Sequence, residues 1–455
     1  MSTAEPASEP VPEPAAPPRL GSDYWKLLSA GGMTNLGDGL MTVAVLWLAS
    51  ALTRDPLLIA LVALATRVPW LLFSLPAGVI TDRFDRRLLV AWTDAARFAV
   101  VAAFGVLVLF TEGGLPTPGQ LAAGEGVPAS ATLLLAGLYA MSFLVGCAEV
   151  IRDNAAQTLL PSVVDRRLLE KANGRLWGME VTTNQFVGPP LAGVLMGLAL
   201  AVPFLFNAGL LAVSAALLFA LAGTYRPRGQ QVSSGRIAWR AEIGTGFRWL
   251  WDNPVLRALA LLLGALNLVS AMTFALMVLY VQDVLGLFQG WQFGLVITGG
   301  AAGAILGSLL AERITAKLGD GRCLLGAIGL MGVSSAVMGF VPVVGVVWLV
   351  SALSGTAGVV WNVITVSLRQ RIIPDHLLGR VNSVYRFFGW GTISVGTLLG
   401  GLLAVVLEPG LGREWALRLP FLLAGAVHLP LLVYAWRRVN GERLARARSA
   451  APDPT

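Results

Sequence analysis

Ionisable side chains lie within long apolar stretches of the sequence, among them Asp38, Arg67, Glu149 and Glu180. A charge in an apolar environment is costly, so such residues usually serve a function. Burial favours the neutral form of a carboxyl group and a nearby cation favours its charged form, so a carboxyl group under both influences can bind and release a proton. We predict that Asp38 and Arg67 are partners at a proton site, with Glu149 and Glu180 as further proton-coupling candidates. A permanently ionised pair that only supports the structure is the alternative.

A polar segment with the sequence GVITDRFDRR, residues 78–87, separates two of the apolar stretches. Its glycine permits two helices to approach closely, and its aspartate can cap a helix and pair with arginines. Ion pairs of this kind can hold one conformation until they break. We expect further charged residues to join this latch, which then comprises Gly78, Asp82, Arg83, Arg86, Arg87, Asp94, Arg97 and Arg152. A basic loop that contains a turn is the simpler interpretation.

A second motif, NQFVGPPLAG at residues 184–193, lies inside an apolar stretch. Proline removes a backbone donor and bends a helix, and small residues permit tight packing against a neighbour. We therefore predict a helix kink and a close contact with the other half of the molecule at Gly188, Pro189, Pro190 and Gly193. A kinked helix without a functional role is the alternative.

The second half of the chain has few ionisable residues in its apolar stretches and has neutral polar and aromatic side chains instead. Such side chains suit a cavity for a bulky amphipathic molecule; the candidates are Asn35, Asn267, Phe274, Trp361, Asn362 and Tyr385. Ordinary packing explains any one of them equally well. The sequence has no phosphate-binding loop and no metal-ligand or nucleophile motif. We expect no cofactor, no metal site and no enzymatic activity.

Hydrophobic residues make up 56% of the 455-residue chain and charged residues only 13%. Soluble proteins have about 25% charged residues, so most of this chain must lie in lipid. Long apolar stretches without alternation indicate helices rather than a barrel, and the length allows roughly a dozen crossings of about 20 residues each. We predict an all-α integral membrane protein.

The predicted transmembrane helices cover residues 26–51, 56–78, 88–111, 131–152, 174–201, 203–223, 256–281, 291–312, 323–342, 345–368, 379–407 and 417–436. The resulting division of the chain is a disordered tail at 1–22, a six-helix bundle at 23–223, a linker at 224–255, a second bundle at 256–438 and a tail at 439–455. Arginine and lysine are concentrated in alternate loops, and the positive-inside rule places these loops and both termini in the cytoplasm. The net charge of +7 arises there, so it does not indicate nucleic-acid binding.

The two halves of the chain are similar in sequence. QTLLP at 157–161 precedes Gly188 and Gly193, and QRIIP at 370–374 precedes Gly396 and Gly401. Repeated halves with a binding site between them are the architecture of alternating-access transporters.

The segment at 78–87 resembles the signature of the major facilitator superfamily, and the motif at 184–193 resembles that of its exporters. NLGDGL at 35–40 and LLPSVVDRRLLEKANG at 159–174 are most similar to its macrolide, siderophore and multidrug exporters. The resemblance implies twelve transmembrane helices in two pseudo-symmetric six-helix bundles. It also implies export of a drug-like or secondary-metabolite molecule by proton antiport through alternating access.

The resemblance further implies a monomer in the bacterial cytoplasmic membrane, whose partners are a small amphipathic organic substrate, protons and the lipid bilayer. Two alternatives remain open at this point. One is a proton-coupled importer of a small metabolite, and the other is a membrane scaffold or receptor that transports nothing.

Overall fold

The computed structural model describes residues 20–126, 128–223, 225, 239–373, 375–439, 441 and 443–444. Most of the two predicted tails and part of the predicted linker lie outside these residues. The helices are α1 (Ser22–Leu52), α2 (Pro56–Arg83), α3 (Arg86–Thr111), α4 (Pro118–Ala122), α5 (Ala129–Val163), α6 (Leu169–Glu180), α7 (Gly188–Met196), α8 (Val202–Phe219), α9 (Trp239–Asp252), α10 (Pro254–Phe274), α11 (Met277–Leu279), α12 (Gly290–Leu318), α13 (Asp320–Phe340), α14 (Val344–Ile372) and α15 (Asp375–Arg438). Two π-helical segments, Val181–Val187 and Tyr280–Val284, and two 3-10 turns, Glu112–Gly114 and Arg166–Leu168, complete the regular structure of the described residues.

Ten helices in the described part of the chain are long and apolar enough to cross a membrane. One further crossing is shared by α6, the first π segment and α7, so no single helix spans it. The last helix, α15, contains two crossings, because Gly412 within it has a φ of 78° and interrupts the helical backbone. The described architecture confirms the all-α membrane fold and is consistent with twelve crossings.

Several crossings begin at an aspartate or asparagine that caps the helix. The side chain of Asp55 accepts hydrogen bonds from the first backbone N–H groups of α2, and Asn253 does the same for α10. Proline follows at once in both cases, as Pro56 and Pro254, where its missing N–H is not needed. These caps fix where the helices start on opposite sides of the membrane.

The fifth crossing changes from α6 to α7 through the π segment Val181–Val187. Pro189 and Pro190 have no amide hydrogen, so carbonyl groups one turn earlier cannot be bonded in the α-helical pattern. The helix widens into a π turn immediately before them. The seventh crossing is interrupted as well, at Tyr280–Val284, although no proline lies in residues 275–284.

Close glycine contacts show how the two halves repeat. A methyl group on Gly188 would lie 2.7 Å from the Cα of Gly39 in α1, and one on Gly396 would lie 2.1 Å from the backbone oxygen of Leu268 in α10. The fifth and eleventh crossings therefore pack in the same way against the first and seventh. The two bundles are related by pseudo-symmetry.

The bundles meet along two equivalent contacts, α7 against α12 and α2 against α15. A Cβ atom on Gly193 would lie 2.5 Å from the Cα of Trp291, and one on Gly401 would lie 2.6 Å from the Cβ of Ala60. Only glycine allows backbones to approach this closely. The kink motif of the fifth crossing therefore ends in direct contact with the other bundle.

Apolar packing closes the bundles against each other at the end of the molecule where α1 ends and α12 begins. The rings of Trp47 in α1 and Phe293 in α12 stack with centroids 6.0 Å apart. Both belong to the largest group of buried apolar side chains, which includes residues of both bundles. The space between the bundles is consequently sealed on this side.

Candidate functional site

Buried ionisable side chains of the first bundle form a network of ion pairs. Asp38 of α1 accepts a hydrogen bond from Nη2 of Arg97 in α3. Nη1 of Arg97 lies 3.8 Å from Oδ1 of Asp94, and Nε of Arg152 in α5 donates to the same oxygen at 3.0 Å. Asp94 is fully buried and the two arginines are 1% and 7% exposed. Each charge in the network is therefore compensated by a partner rather than by water.

Neutral side chains complete the hydrogen bonds of this network. Ser214 of α8 donates to Oδ2 of Asp94 at 2.7 Å, and Nη2 of Arg152 donates to Thr34 at 2.5 Å. Among the described residues, Nε and Nη1 of Arg97 have no hydrogen-bond acceptor. Arg97 thus keeps donors free for a second carboxylate or for a ligand.

The predicted pairing of Asp38 with Arg67 is wrong in this structure. The guanidinium carbon of Arg67 lies 5.6 Å from the ring centre of Trp390, which itself stacks on Trp70 with centroids 5.0 Å apart. The cause is the position of α2, which packs against α15 of the other bundle and directs Arg67 toward that bundle. Arg97 takes the place beside Asp38 that was expected for Arg67.

Three residues assigned to the predicted latch, Asp94, Arg97 and Arg152, lie together in this network. In the described part of the chain no ion pair joins Asp94 to Arg83, Arg86 or Arg87. The partners of these three residues lie within the first bundle, in the network around Asp38.

The loop between α2 and α3 is held to neighbouring helix ends by its arginines. Nη1 of Arg86 donates to the backbone oxygen of Thr158 at 3.0 Å, and Arg87 donates to that of Leu221. Asp85 caps α3 and also accepts from the backbone N–H of Tyr225 at 2.9 Å, a role that the sequence analysis missed.

The remaining members of the predicted latch are less informative. Arg83 is exposed, and the side chain of Asp82 and the surroundings of Gly78 lie outside the described part of the structure. The proposed holding function of the latch accordingly stays a prediction.

A cavity of about 390 Å³ lies between the bundles. Asp38, Arg67 and Glu149 line it from the first bundle, and Asn267 and Phe274 line it from the second. Because Gly39 and Leu268 make equivalent glycine contacts, the residues before them, Asp38 and Asn267, occupy equivalent positions. One side of this central cavity is charged and the equivalent side is neutral.

The two glutamates predicted to couple protons differ in their surroundings. Glu149 is half-buried in the wall of the central cavity, and no ion pair or hydrogen bond of its side chain is found among the described residues. Glu180 is exposed at the end of α6 and lines neither this cavity nor the second one described below. Asp38 and Glu149 are therefore the two carboxylates that face the same cavity.

A second cavity, of about 550 Å³, lies within the second bundle. Trp361 and Asn362 line it, and it shares Asn267 and Phe274 with the central cavity. Four of the six predicted cavity residues are thus brought together. Two are not: Asn35 donates to the backbone oxygen of Gly31 in its own helix at 2.9 Å, and the buried Tyr385 packs under Arg369.

Charged residues at the closed end of the bundles form a second cluster, which we call the Arg54 cluster. It consists of Arg54, Gln282, Asp283, Glu408 and Arg413. Asp283 accepts hydrogen bonds from Arg54 and, at 2.9 Å, from Arg413; Arg413 also donates to Glu408 at 2.9 Å and to the backbone oxygen of Arg54 at 2.8 Å. Burial lowers the pKa of Arg54, and the Asp283 carboxylate opposes this shift.

The Arg54 cluster was missed from the sequence because its members lie in short connections far apart in the chain. Gln282, which is fully buried, also donates to Ser50 at 2.8 Å. The cluster therefore joins α1 of the first bundle to the π segment and α15 of the second. Among the described residues no group of three or more His, Cys, Asp or Glu side chains is arranged to hold a metal ion.

Comparisons with known proteins agree with this architecture. The model of a family described as transmembrane secretion effector matches residues 22–428. The multidrug efflux pump Tap of Mycobacterium tuberculosis is 28% identical over 421 residues, which cover 89% of this chain and 93% of Tap. A bacterial homologue of the iron transporter ferroportin in its inward-facing state is 19% identical, with a TM-score of 0.68 over 90% of this chain and 98% of that one. An outward-facing structure of such a homologue is 21% identical, with a TM-score of 0.57 over 92% and 100% of the two chains.

Proposed function

The chain belongs to the transmembrane secretion effector family of the major facilitator superfamily, and from this premise we propose that it exports a small organic molecule in exchange for protons. It is a multi-pass membrane protein whose relatives are transporters. The proposed substrate is a drug-like compound or secondary metabolite of amphipathic character. The observation that carries the proposal is the presence of two carboxylates, Asp38 and Glu149, in the wall of one cavity between two pseudo-symmetric bundles.

The proposed coupling relies on competition for Arg97. Asp38 holds Arg97 by a hydrogen bond, whereas Glu149 has no such partner among the described residues although it interacts electrostatically with Arg97. A proton on Asp38 would remove its charge and release Arg97, whose free donors could then turn to Glu149. Protonation would in this way change the charge that the cavity presents to a substrate, as antiport requires.

The Arg54 cluster and the charges of the loops support a direction of opening. The loops at the closed end carry few basic residues, so the positive-inside rule assigns this end to the outside. The cavity would then open toward the cytoplasm, and the higher TM-score against an inward-facing structure supports this assignment. We further propose that both termini lie in the cytoplasm and that the membrane is the bacterial cytoplasmic membrane.

The cavity walls support an amphipathic substrate. The central cavity combines Asp38, Arg67 and Glu149 with apolar residues such as Met41 and Phe274. Its volume of about 390 Å³, beside the further cavity of about 550 Å³, suits a drug-sized molecule. Export of a compound with both apolar and polar parts is therefore favoured over import of a small, highly polar metabolite.

The proposal is tested by proton flux in proteoliposomes that hold the purified full-length protein and an interior pH dye. A panel of lipophilic cations and macrolide-like compounds is added, and compound-dependent proton movement is recorded for the wild type, Glu149→Gln and Asp38→Asn. Each substitution is expected to lower this movement at least tenfold, because the amide that replaces the carboxylate cannot bind and release the coupled proton. Glu125→Gln, in an exposed loop, is the matched control and should behave as the wild type.

Other outcomes would select other functions. Proton movement that persists undiminished with Asp38, Glu149 and Glu180 all neutralised would refute the coupling mechanism. Accumulation of a compound on the cytoplasmic side of the membrane would establish import. Silence across the panel from folded protein would favour the scaffold or receptor.

A further inference from the structure

The cavity inside the second bundle has polar groups in its wall that the fold itself does not use. Trp361, Ser334 and His428 are only 4%, 2% and 6% exposed, and all three line it. Among the described residues, Nε1 of Trp361 and Oγ of Ser334 are buried without a hydrogen-bond partner. Buried polar atoms are bonded in the great majority of cases, so two such atoms in one cavity wall indicate a site for a bound molecule.

Similar side chains elsewhere in the same bundle are satisfied. Nε1 of Trp348 donates to Thr298 at 3.2 Å, and Ser308 donates to the backbone oxygen of Ile305 in its own helix at 2.8 Å. Ser334 has the same kind of hydroxyl group, yet it makes no such bond. Tyr385 Oη is a further buried atom without a partner in this bundle, but among the described residues Nε1 of Trp361 and Oγ of Ser334 are the two such atoms that line this cavity.

His428 adds a third hydrogen-bonding position of known chemistry. Its Nδ1 lies 2.7 Å from the backbone oxygen of Ala424. A carbonyl oxygen only accepts, so Nδ1 carries the hydrogen, and Nε2 of the neutral ring is an acceptor. The cavity wall thus offers a donor at Trp361, an acceptor at His428 and a hydroxyl at Ser334 that can do either.

The lining contains no aspartate, glutamate, lysine or arginine, and its remaining wall includes Met277, Met338 and Phe421. An ammonium or carboxylate group would find no counter-charge there and would lose its hydration. Hydroxyl and carbonyl groups on an apolar body match the available donors and acceptors. The central cavity, with Asp38 and Glu149, has the opposite character.

We propose that this second cavity binds the uncharged, oxygen-bearing part of the transported molecule, while any ionised part stays in the central cavity. The two cavities share Asn267, Ser270 and Phe274 of α10, so one molecule can extend past this helix face into both. The assignment rests on the proposed export function for the identity of the ligand as a substrate. The hydrogen-bonding pocket itself is tested by binding.

The test is equilibrium binding of tritiated probes to the purified full-length protein in lipid nanodiscs. The probes are hydrocortisone and chloramphenicol, which are neutral and carry hydroxyl and carbonyl groups, and tetraphenylphosphonium, a cation without hydrogen-bonding groups. Ser334→Ala and Trp361→Phe are each expected to raise the Kd of a neutral probe about five- to tenfold, which is the contribution of one neutral hydrogen bond. The Kd of tetraphenylphosphonium should change by less than about twofold.

Ser308→Ala and Trp348→Phe are the matched controls, because both residues lie outside the lining of the cavity. Thermal unfolding of every variant establishes that it is folded. Failure of both neutral probes to bind folded wild-type protein would overturn the proposal. So would equal affinities in Ser334→Ala, Trp361→Phe and their controls, which would mean that the cavity holds only water.

The binding result separates this pocket from the export function. Weakened binding of neutral probes without compound-dependent proton movement would establish the pocket and refute antiport. Proton movement that is unaffected by Ser334→Ala and Trp361→Phe, together with unchanged binding, would refute the pocket and leave antiport standing.

Discussion

Replacing Asp283 by asparagine is expected to open the closed end of the molecule. Asp283 is the carboxylate at the centre of the Arg54 cluster, where it accepts hydrogen bonds from Arg54 and Arg413. Of its ion pairs, Arg54–Asp283 is the one that joins the two bundles, so this pair exists only while this end is closed. Removing the charge of Asp283 therefore destabilises the closed state relative to the open one.

The size of the effect follows from the burial of the three side chains. Asp283 is 10% exposed, and Arg54 and Arg413 are 18% and 26% exposed. Removing one partner of a buried ion pair costs about 3–5 kcal/mol, and asparagine keeps an acceptor oxygen, so we expect about 2 kcal/mol. This corresponds to about a 30-fold shift, which would raise an open population of about 1% to about one quarter.

The assay is a distance measurement between spin labels on opposite bundles at this end. Gly113 and Val343 are both exposed there, and cysteine at each position accepts a label after Cys147 and Cys323 have been replaced by alanine. Electron double resonance then gives the distance distribution in nanodiscs. The Asp283→Asn variant should show a new population at longer distance.

The matched control is Glu414→Gln. Glu414 pairs with Arg418 at the same end, but its side chain is 58% exposed, and exposed pairs contribute little. This variant should keep the wild-type distribution. If Asp283→Asn also keeps it, the Arg54 cluster does not hold this end closed and the reasoning above fails.

Three further predictions concern the packing and the network. Gly193→Ala places a methyl group against Trp291 and should destabilise the closed state of the same end, relative to the open state, by about 1–3 kcal/mol, measured with the same spin labels. Gly209→Ala, with no neighbour within 4 Å, should leave the distances unchanged. Asp94→Asn removes the carboxylate that Arg97 and Arg152 share, which leaves Arg97 with Asp38 alone and Arg152 with Asp153 alone. It should lower the free energy of unfolding by about 3 kcal/mol, measured by thermal or denaturant unfolding, whereas Asp165→Asn in an exposed loop should be neutral. Trp390→Ala removes a stacked ring between the bundles. It should weaken their contact by about 1 kcal/mol in addition to the cost of the buried apolar area that is lost, which would be seen as a lower unfolding temperature.

The membrane fold could be predicted from the sequence because lipid constrains it strongly. Apolar stretches longer than a bilayer is thick must be helices, and the predicted starts at residues 56 and 256 lie within two residues of Pro56 and Pro254, where α2 and α10 begin. The prolines at 189 and 190 likewise indicated a disturbed helix, and the structure has a π segment directly before them.

The pairing of charges could not be predicted in the same way. Arg67 and Arg97 both lie at a depth that suits Asp38, and hydropathy gives depth but not the direction in which a helix face points. That direction depends on which helices are neighbours: α2 packs against α15, so Arg67 meets Trp390 and not Asp38. The Arg54 cluster depends on contacts between residues 130 to 359 positions apart, for which a single sequence has no local signal.

The equivalence of Asp38 and Asn267 suggests why one bundle of this molecule is charged and the other is not. Both positions follow from the same repeat, and both face the central cavity. A buried carboxylate needs a buried cation, and that cation needs further partners, which is the sequence from Asp38 through Arg97 and Asp94 to Arg152. A second such network at Asn267 would add its own desolvation cost without adding volume for a substrate. The neutral bundle instead retains a cavity whose polar groups carry no charge, so a proton bound at Asp38 can change the electrostatics of the shared cavity without disturbing the hydrogen bonds beyond Asn267.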